Sequence, residues 1–102
     1  MARGKKIPPL HPGEILNEDF IVPTRISIHR IAMDLRVPAD RIAEIVKGER
    51  AISADTALRL ARYLGTSPEF WLGLQSDYDL EKAKDQLAAR IAREVHPRKR
   101  AA

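Results

Sequence analysis

The chain has 102 residues, 44% of them hydrophobic, no cysteine and a formal net charge of +4. That is material for one small domain with a single core, without a disulfide framework or thiolate chemistry. No stretch approaches the ~20 apolar residues of a membrane span, and the basic start MARGKK is followed by no long apolar run, so a cytoplasmic protein without a secretory signal is expected.

In chain order, residues 1–10 form a basic tail carrying Arg3, Lys5 and Lys6, with residues 1–6 expected to be disordered. Helix 1 opens at Pro12, where the missing N–H costs nothing and Glu14 suits the positive helix end. It runs to about Ile21, and Pro23 is expected to stop it. Ser27 caps helix 2, whose stripe Ile28, Ile31, Ala32 and Leu35 has helical spacing. Pro38 sets the entry to helix 3, which buries Ile42, Ile45 and Val46 and stops at Gly48. Ser53 caps helix 4, with Ala57, Leu60, Ala61 and Leu64 inward, and Gly65 ends it. Thr66-Ser67-Pro68-Glu69 starts helix 5, which packs Phe70, Trp71 and Leu74 inward. A separate sixth helix is expected from Asp79 to Val95, ended by His96-Pro97, and a basic tail, 97–102, follows. No alternating pattern signals a strand, so the fold class is all-α.

The stretch SIHRIAMDLRVPADRIAEIVKGER, Ser27–Arg50, narrows function most. It reads as a helix-turn-helix, in which a supporting helix holds a second one in the DNA major groove. Ile31, Ala32 and Leu35 face Ile42 and Ile45, and Val37 plugs the turn. That placement leaves Ala39, Asp40, Arg41 and Glu44 outward, as candidates to meet base edges. Arg41 suits guanine O6 and N7, and Asp40 or Glu44 suits cytosine N4. Arg25, Ser27, His29 and Arg30 around the start of helix 2, and Lys47 and Arg50 beyond helix 3, are phosphate candidates. Charge agrees with this division. Residues 25–62 carry eight basic against five acidic side chains, whereas residues 7–24 sum to −3 and residues 63–95 to −2. The same outward residues also satisfy the spacing of salt bridges along one solvated helix.

HPGEIL, followed by ISADTALRLARYLGTSPEFWLGLQSDYDL, resembles the HigA/VapI group of antitoxins in the Xre (Cro/C1-repressor-like) helix-turn-helix family. The likeness runs from His11 to about Leu80. It implies a lambda-repressor-like five-helix domain over residues 11–78 with an added C-terminal helix over 79–96. It also implies a homodimer on a palindromic operator and a RelE/HigB-like mRNA-cleaving toxin as partner. The family's groove-facing positions fall on Ala39, Asp40, Arg41 and Glu44, and its phosphate positions on the start of helix 2, Lys47 and Arg50. Two positions depart from the pattern. Ile28 stands where a phosphate-contacting glutamine is common. Arg36 stands where a turn glycine is common, which calls for a positive φ at a non-glycine residue or a different local turn.

The last helix carries Leu80, Ala83, Leu87, Ile91 and Val95 on one stripe, more apolar surface than a five-helix core uses. Leu80, Leu87, Ile91 and Val95 are the candidate dimer seam; covering the chain's own core and receiving the toxin are the other roles open to this stripe. Three scattered histidines, His11, His29 and His96, have no metal-ligand spacing, and there is no phosphate loop and no nucleophile with a base. Neither catalysis, nor a cofactor, nor a metal is expected. Besides the antitoxin, a solitary Xre-family regulator and a protein-binding module that no longer reads DNA fit these features.

Overall fold

The computed structural model describes residues 8–99, all helical where regular and without a strand among those residues. The expectations placed on residues 1–7 and 100–102 lie outside this range. Helix α1 begins with an α-helical turn, Pro12–Ile15, widens to a π-helical stretch, Leu16–Ile21, and closes with an α turn, Val22–Thr24. Then follow α2 (Ile28–Leu35), α3 (Ala39–Val46), α4 (Ala54–Leu64) and α5 (Pro68–Glu94).

The caps explain most of these boundaries. The Ser27, Ser53 and Ser67 hydroxyls accept from the N–H groups of Arg30, Thr56 and Phe70, three residues into their helices. His11 caps α1 through Nδ1, which accepts from Gly13 N–H at 2.9 Å. At the other ends the chain turns through left-handed residues. Gly48 (φ 78°) closes α3 with Gly48 N–H on Ile45 O and Glu49 N–H on Glu44 O. Arg36 (φ 61°) closes α2 with the same pair of bonds, to Met33 O and Ala32 O. The Arg36 turn therefore keeps the backbone a glycine would give, at the ~1–2 kcal/mol that a left-handed residue with a Cβ costs.

Three expectations are corrected. Pro23 does not stop the first helix at Ile21. The register widens before it, with Val22 N–H reaching back to Asn17 O, so the proline ring is carried one further turn without meeting an α-register carbonyl. The Thr24 hydroxyl then donates to Phe20 O and Arg25 turns left-handed at φ 60°. Second, no break separates a fifth from a sixth helix. Residues 75–79 contain neither proline nor glycine, and Gln75 Nε2 donates to Asp79 Oδ1 at 2.9 Å along the helix, so α5 runs unbroken for 27 residues, about 40 Å. Third, Phe70 does not pack inward with Trp71. Neighbouring helix positions point about 100° apart, so only one can face the core axis. Trp71 is fully buried with its Nε1 donating to Thr66 Oγ1 at 2.7 Å. Phe70 is exposed and lays its ring edge against the indole at 4.9 Å.

The core is one cluster in which Leu16, Ile31, Leu35, Ile42, Ile45, Leu60 and Trp71 are buried together with Ile52, from the loop into α4, and Ala57, on α4. Gln75 is the buried polar anchor, its Oε1 accepting from Ile52 N–H at 2.8 Å. Helix α1 meets α3 at a backbone-to-backbone approach. A Cβ on Gly13 would lie 1.7 Å from Ile45 O. Beyond Tyr78, whose ring stands edge-on to buried His11 at 4.8 Å, α5 leaves the body, and Leu80, Leu87, Ile91 and Val95 are all exposed. The stripe therefore does not cover the chain's own core.

Candidate nucleic-acid interface

Helices α2 and α3 pack through Ile31, Ala32 and Leu35 against Ile42 and Ile45, all five buried. Burying one face of α3 turns the opposite face outward. There Asp40 and Lys47 are exposed and Arg41 and Glu44 half-buried, whereas Ala39 is half-buried against the edge of the core. Of the expected base-edge residues, Asp40, Arg41 and Glu44 stand clear of the core, and Ala39 touches it. The phosphate candidates Arg25, Ser27, His29 and Arg30 are exposed around the entry to α2, and Arg50 is exposed in the loop after α3.

Ion pairs tie several of these side chains together. Glu44 Oε1 accepts from Arg50 Nε at 2.7 Å, so a base-edge candidate and a phosphate candidate hold each other. Arg30 Nε donates to Asp34 Oδ2 at 3.2 Å, and the Tyr63 hydroxyl of α4 donates to the same oxygen. The Tyr63 hydrogen bond, helped by Arg30, holds the Asp34 carboxyl below its ordinary range, and Asp34 in turn raises the Tyr63 phenol. Ser27 has its hydroxyl committed to the cap, which leaves the outward α2 terminus for an anion. Among the described residues, Asp40, Lys47 and His29 enter no ion pair.

Arg41 Nη1 donates to Asp55 Oδ2 at 3.1 Å, and Arg59 Nε donates to that oxygen at 3.0 Å. Neither Asp55 nor Arg59 was visible as part of this site in the sequence. They lie 14 and 18 positions beyond Arg41, on a helix whose angle to α3 the sequence does not state. The only local signal is their own i, i+4 spacing.

His11 joins this face to the rest of the fold. Beside the Gly13 cap and the Tyr78 ring, it packs against Gly48, whose added Cβ would lie 3.7 Å from the imidazole. Burial lowers its pKa below 6.5, opposed by Asp79 and Glu14 and by a hydrogen bond to the Arg50 backbone. Among the described residues no cluster of His, Asp or Glu could hold a metal, and no helix is long and apolar enough to cross a membrane.

A family model described as helix-turn-helix matches residues 25–71, the span of α2 to α4 and the start of α5. Virulence-associated protein I of Dichelobacter nodosus is 48% identical over 83 residues, 81% of this chain and 77% of that protein. The chain belongs to the HigA/VapI group of Xre-type helix-turn-helix proteins. The group is one of DNA-binding regulators and not of enzymes. Two solved structures extend the likeness to three dimensions. Pseudomonas aeruginosa antitoxin HigA with its higBA promoter shares 44% identity at a TM-score of 0.85, over 87% of this chain and 97% of that one. Antitoxin GraA in complex with its operator shares 37% identity at 0.85, over 98% and 100%.

Proposed function

We propose that the chain is an operator-binding antitoxin. In this reading α3 enters the major groove and Ala39, Asp40, Arg41 and Glu44 meet base edges. Arg25, Ser27, His29, Arg30, Lys47 and Arg50 meet phosphates. The carrying observation is the outward face of α3 above fully buried Ile42 and Ile45. Promoter-bound HigA and operator-bound GraA, at 44% and 37% identity, support the same reading.

One such unit reads a half-site, so a palindrome calls for two units about 34–36 Å apart. The exposed stripe of α5, Leu80, Leu87, Ile91 and Val95, is the seam proposed to set that spacing, with residues 11–78 as the reading domain and 79–96 as the dimerisation segment. The partner is a RelE/HigB-like toxin, and the exposed acidic residues Glu14, Glu18 and Asp19 of α1 suit a basic surface. Promoter binding by the pair closes an autorepression loop.

Co-expression with the adjacent gene, followed by pull-down and a salt series on the shared promoter, tests the proposal. A co-purifying toxin and a fall in log K against log salt of about 0.9 per phosphate contact are expected. Promoter binding without any co-purifying partner leaves a solitary regulator, and salt-insensitive association rejects the DNA reading.

A further inference from the structure

A chain of polar contacts runs from the end of α2 over α4 to the outer face of α3. Arg59 Nη1 donates to Leu35 O at 2.8 Å, Arg59 Nε donates to Asp55 Oδ2 at 3.0 Å, and the same carboxylate oxygen accepts from Arg41 Nη1 at 3.1 Å. Leu35 is buried and ends α2, so the first link is anchored in the core of the helix-turn-helix. Asp55 lies in the first turn of α4, outside the recognition helix.

The geometry points to Asp55 as a specificity-determining positioning residue, which aims the Arg41 guanidinium at a base edge. This rests on the reading of α3 as the groove-entering helix. In a planar guanidinium the Nη1 group and the Nε–H stand on opposite sides, while Nε–H and one Nη2–H form a parallel pair of donors. Asp55 takes Nη1. The Nε/Nη2 pair makes no hydrogen bond among the described residues. That free pair is the one that matches two neighbouring acceptors such as guanine O6 and N7.

Without Asp55, Arg41 would be a mobile cation open to any nearby phosphate, which adds affinity but no sequence preference. With it, the charge is partly cancelled and the fork has a set direction, so order is arranged before DNA arrives. The hydrogen bond from Arg59, aided by Arg41, holds the Asp55 carboxyl below its ordinary range and keeps it ionised at neutral pH. Arg59 is the brace, because its bond to Leu35 O fixes where that carboxylate stands.

The test is selection of duplexes from a fully randomised pool by the full chain, as wild type, Asp55→Ala, Asp55→Glu, Arg41→Ala and the double variant Asp55→Ala/Arg41→Ala. Wild type should recover a palindromic consensus. Asp55→Ala should lose, by roughly tenfold or more, the preference at the one position per half-site that Arg41→Ala also loses. The double variant should lose no more than either single one. Binding of Asp55→Ala to a random duplex should be unchanged or tighter, since an acid has been removed, and Asp55→Glu should restore part of the preference. An intact consensus in Asp55→Ala, or loss of all positions together with random-duplex binding, overturns the positioning role. So does Arg41→Ala keeping every position. A wild type that selects no consensus instead overturns the DNA reading from which the inference starts.

Discussion

Gly13→Ala should unseat α1 from the recognition helix. The new Cβ would lie 1.7 Å from Ile45 O and 2.7 Å from Ile45 C, against the 3.4 Å or more of ordinary contact, so the two backbones must part by about 1.7 Å. No rotamer can relieve a methyl on backbone. Overpacking of this kind costs ~1–3 kcal/mol. The shift also strains the bond from Gly13 N–H to His11 Nδ1, a cap of ~1 kcal/mol. Together about 2–4 kcal/mol is lost, a large share of the ~5–15 kcal/mol available to a domain of this kind. At ~4–8 °C per kcal/mol the melting point should fall by roughly 8–30 °C. Gly73→Ala is the matched control. It lies within α5 with nothing within 4 Å of an added Cβ, and should gain up to ~1 kcal/mol from helix propensity. Thermal melts followed by circular dichroism would compare the two. If Gly13→Ala melts with wild type or with Gly73→Ala, the close seat of α1 on α3 is wrong.

Arg36→Gly should stabilise the fold by about 1 kcal/mol, because φ 61° costs a side chain more than a glycine, and denaturant midpoints will show it. Gln75→Ala should destabilise by ~1–3 kcal/mol in the same assay, since it leaves buried Ile52 N–H without its acceptor. Stability should also fall with acid through His11. Its folded pKa lies below 6.5, so the folded state disfavours the proton: its contribution is complete above 6.5 and is lost as pH falls through the lowered value. His11→Asn should remove that part of the pH dependence of the melting point while keeping a side-chain cap. Lys47→Ala should weaken binding to all duplexes alike and reduce the salt slope by about one, as a phosphate contact does.

Much of this architecture is written in local chemistry. The serines at 27, 53 and 67 and the glycines at 48 and 65 act on their own helix ends, so cap positions could be read residue by residue. The outward face of α3 was legible for the same reason, since Ile42 and Ile45 set its period. What escaped depends on choices between near-equal local options. Pro23 signals a stop, yet a π-register before it carries the helix one turn further, and no single residue announces that register. A separate helix is expected to begin at Asp79, but without a breaker before it α5 continues through. Phe70 and Trp71 carry equal hydrophobic signals, and only the direction of approach of the core separates them. The pairs Arg41–Asp55 and Glu44–Arg50 need the angles between elements, which lie beyond any periodicity.

In the proposed complex α3 lies in the major groove. Guanine N7 faces that groove, so dimethyl sulfate protection on the chain's own promoter tests it most directly. N7 protection is expected in two half-sites centred about one helical turn apart, with the protection at one guanine per half-site lost in Arg41→Ala. A promoter bound tightly with every N7 still reactive, or with protection confined to adenine N3 in the minor groove, would contradict it.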